Sequence, residues 1–213
     1  MSKPKAQTIQ QRFGFLDHEL STPKHDEIML WLDDCMDTVA SNFLRDQDMG
    51  IAEAVRFYSE NGISESVLKS LDKPNPNLPI KVVSKIWEKP ITTQQSKGYG
   101  NKYTVGFVDM ALQYRLPVVA LEGIKWPSFG SRGPEIVGDL RWSVRYENKV
   151  AYFEVKPEVR SLGELMRQIR MYQTYVDDGV KFAVVSPDDR LKKQIERQGI
   201  IFVPYPSAHH TIE

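Results

Sequence analysis

The chain has a single cysteine, Cys35, among its 213 residues. It can close no intrachain disulfide, and a cysteine-built zinc or iron–sulfur centre would need ligands from another chain. Neither sign of charge is in excess, since 28 Lys and Arg balance 28 Asp and Glu. A globally basic footprint for nucleic acid is therefore excluded, and any such surface must be local. No apolar run approaches the roughly 20 residues that cross a bilayer. The opening residues, MSKPKAQTIQQRF, lack the apolar stretch of a secretory leader. A P-loop, a Rossmann glycine pattern and a Gly-x-Ser-x-Gly elbow are all missing, so an enzyme of another kind on a mixed sheet is only a third, weaker reading. There is no internal repeat and no low-complexity tract. Together these absences lead us to expect a cytoplasmic protein with no membrane partner.

What is present is ordinary globular composition, 41% hydrophobic and 26% charged. That is enough for one well-buried core, or for one core with a helical appendage. Residues 23–44 place Ile28, Leu32, Cys35/Met36 and Val39 at helical spacing, after a Thr22-Pro23 start. Shorter amphipathic helices are expected over 51–60 and 64–71. The segment 72–79, DKPNPNLP, carries three prolines and reads as a stiff connector. It suggests a helical region over 1–73 and a separate core over 80–206.

Beyond the connector the pattern changes to Val, Ile, Phe, Tyr and Trp with period-2 alternation. Strands are expected over 80–88, 103–114, 117–124, 136–146 and 149–156, the last two joined as a hairpin by a turn at Glu147-Asn148. A helix follows over 162–176, with Ser161 and Glu164 at capping-box spacing. Then come a strand (180–186), a short helix from Pro187 to Gln198, and a last strand (200–205). The fold class is α/β, a mixed central sheet flanked by helices, with a parallel strand–helix–strand passage near the C-terminus.

On the expected hairpin, Asp139 falls on the polar face of 136–146, and Glu154 and Lys156 share one face of its partner. Two carboxylates and an ammonium would then meet on a rigid surface. Neighbouring carboxylates repel unless a cation lies between them. Mg²⁺ favours such oxygens and, once bound, lowers the pKa of water and neutralises phosphate charge. This residue set suits hydrolysis of a phosphodiester bond.

Gly138-Asp139, then Glu154-Val155-Lys156, then a helix carrying Gln168-Ile169-Arg170-Met171-Tyr172, resembles the PD-(D/E)XK nuclease superfamily. The Gln168…Tyr172 spacing is similar to the QxxxY motif of its RecB-like branch. The resemblance covers residues 100–205 and implies a restriction-endonuclease-like fold. It implies Asp139, Glu154 and the Val155 main-chain carbonyl as metal ligands and Lys156 as the catalytic lysine. Gln168 and Tyr172 would support the site or the substrate strand. It further implies Mg²⁺ as cofactor, with Mn²⁺ as substitute, and DNA as partner, either single- or double-stranded, with a homodimer as a candidate assembly. The expected activity is that of a metal-dependent deoxyribonuclease. The alternative is a non-catalytic nucleic-acid-binding or assembly module that keeps the fold. The chain departs from the family pattern in having Gly138 in place of proline, and in lacking the cysteines of the iron–sulfur relatives. The upstream histidine of many RecB-like nucleases has its nearest counterparts in His25 or Glu27.

Other residues carry weaker expectations. Asp109 and Glu122-Gly123-Ile124-Lys125 repeat the motif imperfectly, with Asp109 suited to an auxiliary acidic role. Trp126, Phe129 and Arg132 lie in a Gly/Pro-rich stretch that reads first as a long surface connection, with stacking on bases and contact to a phosphate as the alternative. Arg167 and Arg170 flank the Gln168 face, where phosphate contact and a solvated surface are equal readings. Lys81, Lys85, Lys89, Lys97 and Lys102 read as a solvated basic stretch, and His25 as a capping or surface residue. Cys35 reads as buried and inert, and His209 and His210 as tail residues.

Overall fold

The computed structural model describes residues 23–45, 50–74, 78–93, 103–127 and 133–206. They fall into two compact units, each discontinuous in sequence. Described residues up to 44, from 82 to 114 and from 149 onward form the first. Those between 45 and 81 and between 115 and 148 form the second, which includes the described part of the proline-rich segment.

The sheet has five strands in the order β1 (Lys81–Thr92), β2 (Thr104–Lys125), β3 (Glu135–Val155), β4 (Lys181–Ser186) and β5 (Ile201–Pro204). The first connection is antiparallel, since Thr93 N–H donates to the Tyr103 carbonyl at 2.9 Å and Ser84 reaches Gln113 farther along. The β3–β4 and β4–β5 pairings are parallel. Glu154 aligns with Val184 and Val184 with Phe202. Parallel neighbours need a crossover. Here α5 (Leu162–Gln173) carries the chain from β3 to β4, and α6 (Lys192–Glu196) carries it from β4 to β5. Within β4 (KFAVVS) the central residues Phe182–Val185 are apolar without a break because both faces of the strand are covered. The mixed sheet flanked by helices is the expected fold class.

In the first unit, Leu165, Ile169 and Tyr172 of α5 pack on Val105, Val108, Val184 and Phe202. A fully buried side chain of this size contributes about 2–3 kcal/mol. The α5 start is capped as its sequence suggests, the Ser161 hydroxyl accepting the Glu164 N–H at 3.3 Å. On α1 (Pro23–Asp34), Ile28, Met29 and Leu32 are buried, and Met36 continues that face on α2 (Met36–Phe43).

The second unit packs α3 (Ile51–Glu60) and α4 (Glu65–Ser70) with residues of β2 and β3 beyond position 115 and before 149. Val55, Tyr58, Leu68, Leu121 and Trp142 form its core. Two polar links tie helix to strand there. The Tyr58 hydroxyl accepts the Leu121 N–H, and the Trp142 indole donates to the Leu68 carbonyl, each at 3.1 Å. Buried aromatic polar atoms need such partners.

Several local expectations give way. The helix expected over 23–44 breaks at half-buried Cys35, which leaves helical geometry at φ −97° and ψ 10° and caps α2. The strands expected over 103–114 and 117–124 are one strand running through Pro117. The hairpin at Glu147-Asn148 does not form, and β3 runs unbroken from Glu135 to Val155. A two-residue hairpin turn needs positive φ, and among the described non-glycine residues only Glu88 has it. The neighbouring β2, 22 residues long, offers the extended chain a continuous ladder instead. The helix expected from Pro187 shortens to α6. No helix among the described residues is long and apolar enough to cross a membrane.

Candidate functional site

The strongest concentration of buried polar side chains lies in the first unit. It contains His25 (6% exposed), Asp109 (5%), Glu154 (3%), Lys156 (9%) and Gln168 (5%). Charged groups leave water only where partners replace it, and here each has one.

Asp109 sits on β2 inside the buried run Val108-Asp109-Met110-Ala111-Leu112. Its Oδ2 accepts the Val155 N–H of β3 at 2.6 Å, a short charge-assisted bond. Its Oδ1 lies 3.5 Å from His25 Nε2 on the first turn of α1, and His25 Nδ1 lies 3.5 Å from Asp26. Burial pulls the His25 pKa down, but hydrogen bonding and attraction from Asp109, with help from Asp26, outweigh it. The net pKa is above that of a free histidine.

Glu154, one residue before Val155, points to α5. Its Oε1 accepts from Gln168 Nε2 at 2.7 Å and lies 3.1 Å from Lys156 Nζ. Residues i and i+2 of a strand share a face, so Lys156 reaches the carboxylate two positions earlier. The Lys156 main chain is held by its N–H donating to the Val185 carbonyl at 2.9 Å. On α5, residues i and i+4 are neighbours. Gln168 therefore also donates to the Tyr172 hydroxyl at 3.1 Å, and Tyr172 donates to the Phe107 carbonyl at 3.0 Å. Both amide hydrogens of Gln168 are committed, which fixes the amide orientation.

Glu154, Val155, Lys156, Gln168 and Tyr172 are thus brought together, and their carboxylate neighbour from β2 is Asp109. Asp139 takes no part in this cluster. It is an exposed residue of the second unit, fifteen positions before Glu154 on the same strand. The pairing that would have set the two side by side depended on the hairpin that does not form. Glu122 is also in the second unit, bonded to Arg141 at 2.6 Å, where Gly123 has φ +84°. Arg141 pulls the Glu122 carboxyl below the usual range. Glu27 accepts from the Tyr205 hydroxyl at 2.8 Å. Arg167 and Arg170 are exposed, and Arg170 donates to the Gln198 carbonyl. Trp126 is exposed, its ring 5.8 Å from that of Phe57. Lys97, Lys102, Phe129, Arg132, His209 and His210 lie outside the described residues.

Two residues carry more of the site than their sequence context first suggested. Asp109 interrupts an apolar run, and an acid in that setting must be buried with a partner. His25 shares the helical stripe of Ile28, Met29, Leu32 and Met36, the spacing of a buried face rather than a cap.

Among the described residues no three His, Cys, Asp or Glu side chains gather tightly enough to enclose an ion by themselves. Magnesium does not need such a cage, because it is held by one or two carboxylates while keeping waters and substrate phosphate. Two buried carboxylates on neighbouring strands, with hard oxygen donors, fit that requirement. No protein-family model matches the chain, no curated protein matches it, and no solved structure matches it.

Proposed function

We propose that the chain is a Mg²⁺-dependent nuclease of PD-(D/E)XK type that hydrolyses phosphodiester bonds of DNA. The reading rests on one observation. Asp109 is bonded to the main chain between Glu154 and Lys156, so an acid, an acid and a lysine converge from adjacent strands in a buried setting. In this reading Asp109 takes the metal-ligand role that the motif first suggested for Asp139.

Asp109 and Glu154 would hold the ion. When bound, it lowers the pKa of water and offsets charge on the scissile phosphate. Glu154 cannot swing away freely, because Gln168 and Lys156 both hold its Oε1. Lys156, tied at its main chain to β4, presents an ammonium beside that carboxylate, suited to orienting an attacking water or a phosphate oxygen. His25 lies beside the Asp109 Oδ1, the oxygen that Val155 does not use. The cluster's own pairing keeps these groups fixed before substrate arrives, and fixed groups need no reorganisation during the reaction.

The test is incubation with linear, circular and single-stranded DNA, with and without Mg²⁺ or Mn²⁺, alongside Lys156→Ala. Metal-dependent cleavage lost in the variant supports the reading. Salt-sensitive DNA binding with neither metal uptake nor cleavage would replace it with a non-catalytic binding module.

A further inference from the structure

The proposed site contains one residue with no side chain, and its bareness has a geometric purpose. Gly106 lies on β2 three positions before Asp109 and next to Phe107. A Cβ built there would stand 2.7 Å from Tyr172 Cε1 and 2.8 Å from the Tyr172 hydroxyl oxygen. Such approaches are not tolerated, so something would have to shift. Gly106 is absent from the glycines with positive φ. Its backbone is therefore open to any residue, and it is the missing side chain, not conformational freedom, that matters.

Tyr172 has little room to yield. It is 1% exposed, wedged among Val105, Val108, Leu165 and Ile169. Its hydroxyl is the middle of a directed chain. Gln168 donates to it, and it donates to the Phe107 carbonyl. The other Gln168 hydrogen is given to Glu154. If the ring moves off β2, the hydroxyl leaves Phe107, and the Gln168 amide loses the acceptor that fixes its orientation toward Glu154.

We infer that Gly106 is a positioning residue: its bare Cα seats Tyr172 against β2, and through Gln168 that seat fixes the Glu154 carboxylate. This rests on the proposed reading for its functional meaning, though not for its geometry. Groups behind a metal ligand typically change metal affinity or activity by about 10–100-fold when altered. Gly106→Ala is accordingly expected to weaken Mn²⁺ binding by about tenfold, measured by calorimetry on protein without DNA.

A double-mutant cycle with Tyr172→Phe separates this route from general damage. If Gly106 acts through the hydroxyl, alanine at 106 adds little once the hydroxyl is gone. Fully additive losses overturn the inference. A second readout needs no metal. The side-chain amide protons of Gln168 are held in the wild type and should exchange faster and shift in Gly106→Ala. Unchanged amide signals in a folded Gly106→Ala overturn the seat. A wild-type chain that neither binds Mn²⁺ nor cleaves DNA sinks the nuclease reading, and with it the link to metal, while the amide signals still decide the geometry. Should Gly106→Ala fail to fold, Gly106→Ala/Tyr172→Leu vacates the overlap and is expected to restore the fold without tight Mn²⁺ binding. Failure of that pair to fold overturns the overlap as the cause.

Discussion

Asp109→Asn is the sharpest perturbation of the proposed site because it changes charge while nearly preserving shape. Asp109 accepts the Val155 N–H at 2.6 Å and lies 3.5 Å from His25. An asparagine oxygen can still accept that N–H, so the strand pairing survives. A bond to a charged group is worth about 1.5–3 kcal/mol and a neutral one about 0.5–1.5 kcal/mol. The difference, offset by the easier burial of a neutral amide, leaves a net loss of about 1 kcal/mol. For a protein of this size that lowers Tm by about 2–4 °C. The effect on cleavage is of another order. Removing one of two ligands forfeits much of the several kcal/mol that a bound ion supplies to the reacting phosphate. A loss of about 4 kcal/mol corresponds to roughly a thousandfold in rate. The assay is Mg²⁺-dependent cleavage of end-labelled DNA by Asp109→Asn and Asp139→Asn side by side, with thermal unfolding as the control. Asp139 is exposed and outside the cluster, so its variant should cleave within about twofold of wild type, since surface substitutions away from special features cost little. An active Asp109→Asn beside an inactive Asp139→Asn would refute the assignment of the metal to β2.

The remaining predictions address the same site and its supports. Lys156→Met keeps the stem but leaves Glu154 buried without its ammonium; breaking such a pair costs about 3–5 kcal/mol when burial is complete. Gln168 still donates to Glu154, so denaturant titration should read the lower end of that range, with cleavage abolished. Asp188 is held down to about 2 by Arg190 and, more weakly, by the Val159 N–H. Its folded-state pKa is depressed, so its stabilisation is present above the unfolded value near 3.8 and fades as pH falls toward 2. Arg190 is exposed, so water screens the pair and the increment is small. Asp188→Asn should lose that increment at pH 6 and differ little from wild type near pH 2, and an equal difference at both pH values would contradict the pairing. In the second unit, Trp142→Phe leaves the Leu68 carbonyl without its donor at 3.1 Å and should cost about 1–3 kcal/mol by chemical denaturation. A smaller loss would mean that water replaces the indole there.

How far the sequence could be read depended on the range of each interaction. Residues 51–60 show their helix through local spacing, and α3 is found there. Ser161 and Glu164 announced the cap of α5, and i,i+4 spacing put Gln168 and Tyr172 on one face of that helix. The alternation of Glu154 and Lys156 set both on one side of β3 without any knowledge of its neighbours. These are periodicities of 3.6 and 2 residues, fixed by backbone geometry within a few positions, and they identified most of the candidate site.

The partner of Glu154 was not of this kind. Asp139 and Asp109 are both acids in strand-like sequence; the apolar run around Asp109 marks it for burial, but spacing along the chain does not say which one meets Val155. The choice turned on whether the chain reversed at Glu147-Asn148 or continued, and that depended on the length of β2 beside it. The contact of His25 with Asp109 and the Tyr172 seat on Gly106 were likewise not readable, because each joins residues tens of positions apart. Sequence alone determined which residues share a face of their own element. Tertiary structure decided which faces meet, because strand pairing and packing are settled by burial summed over the whole sheet rather than by neighbours along the chain.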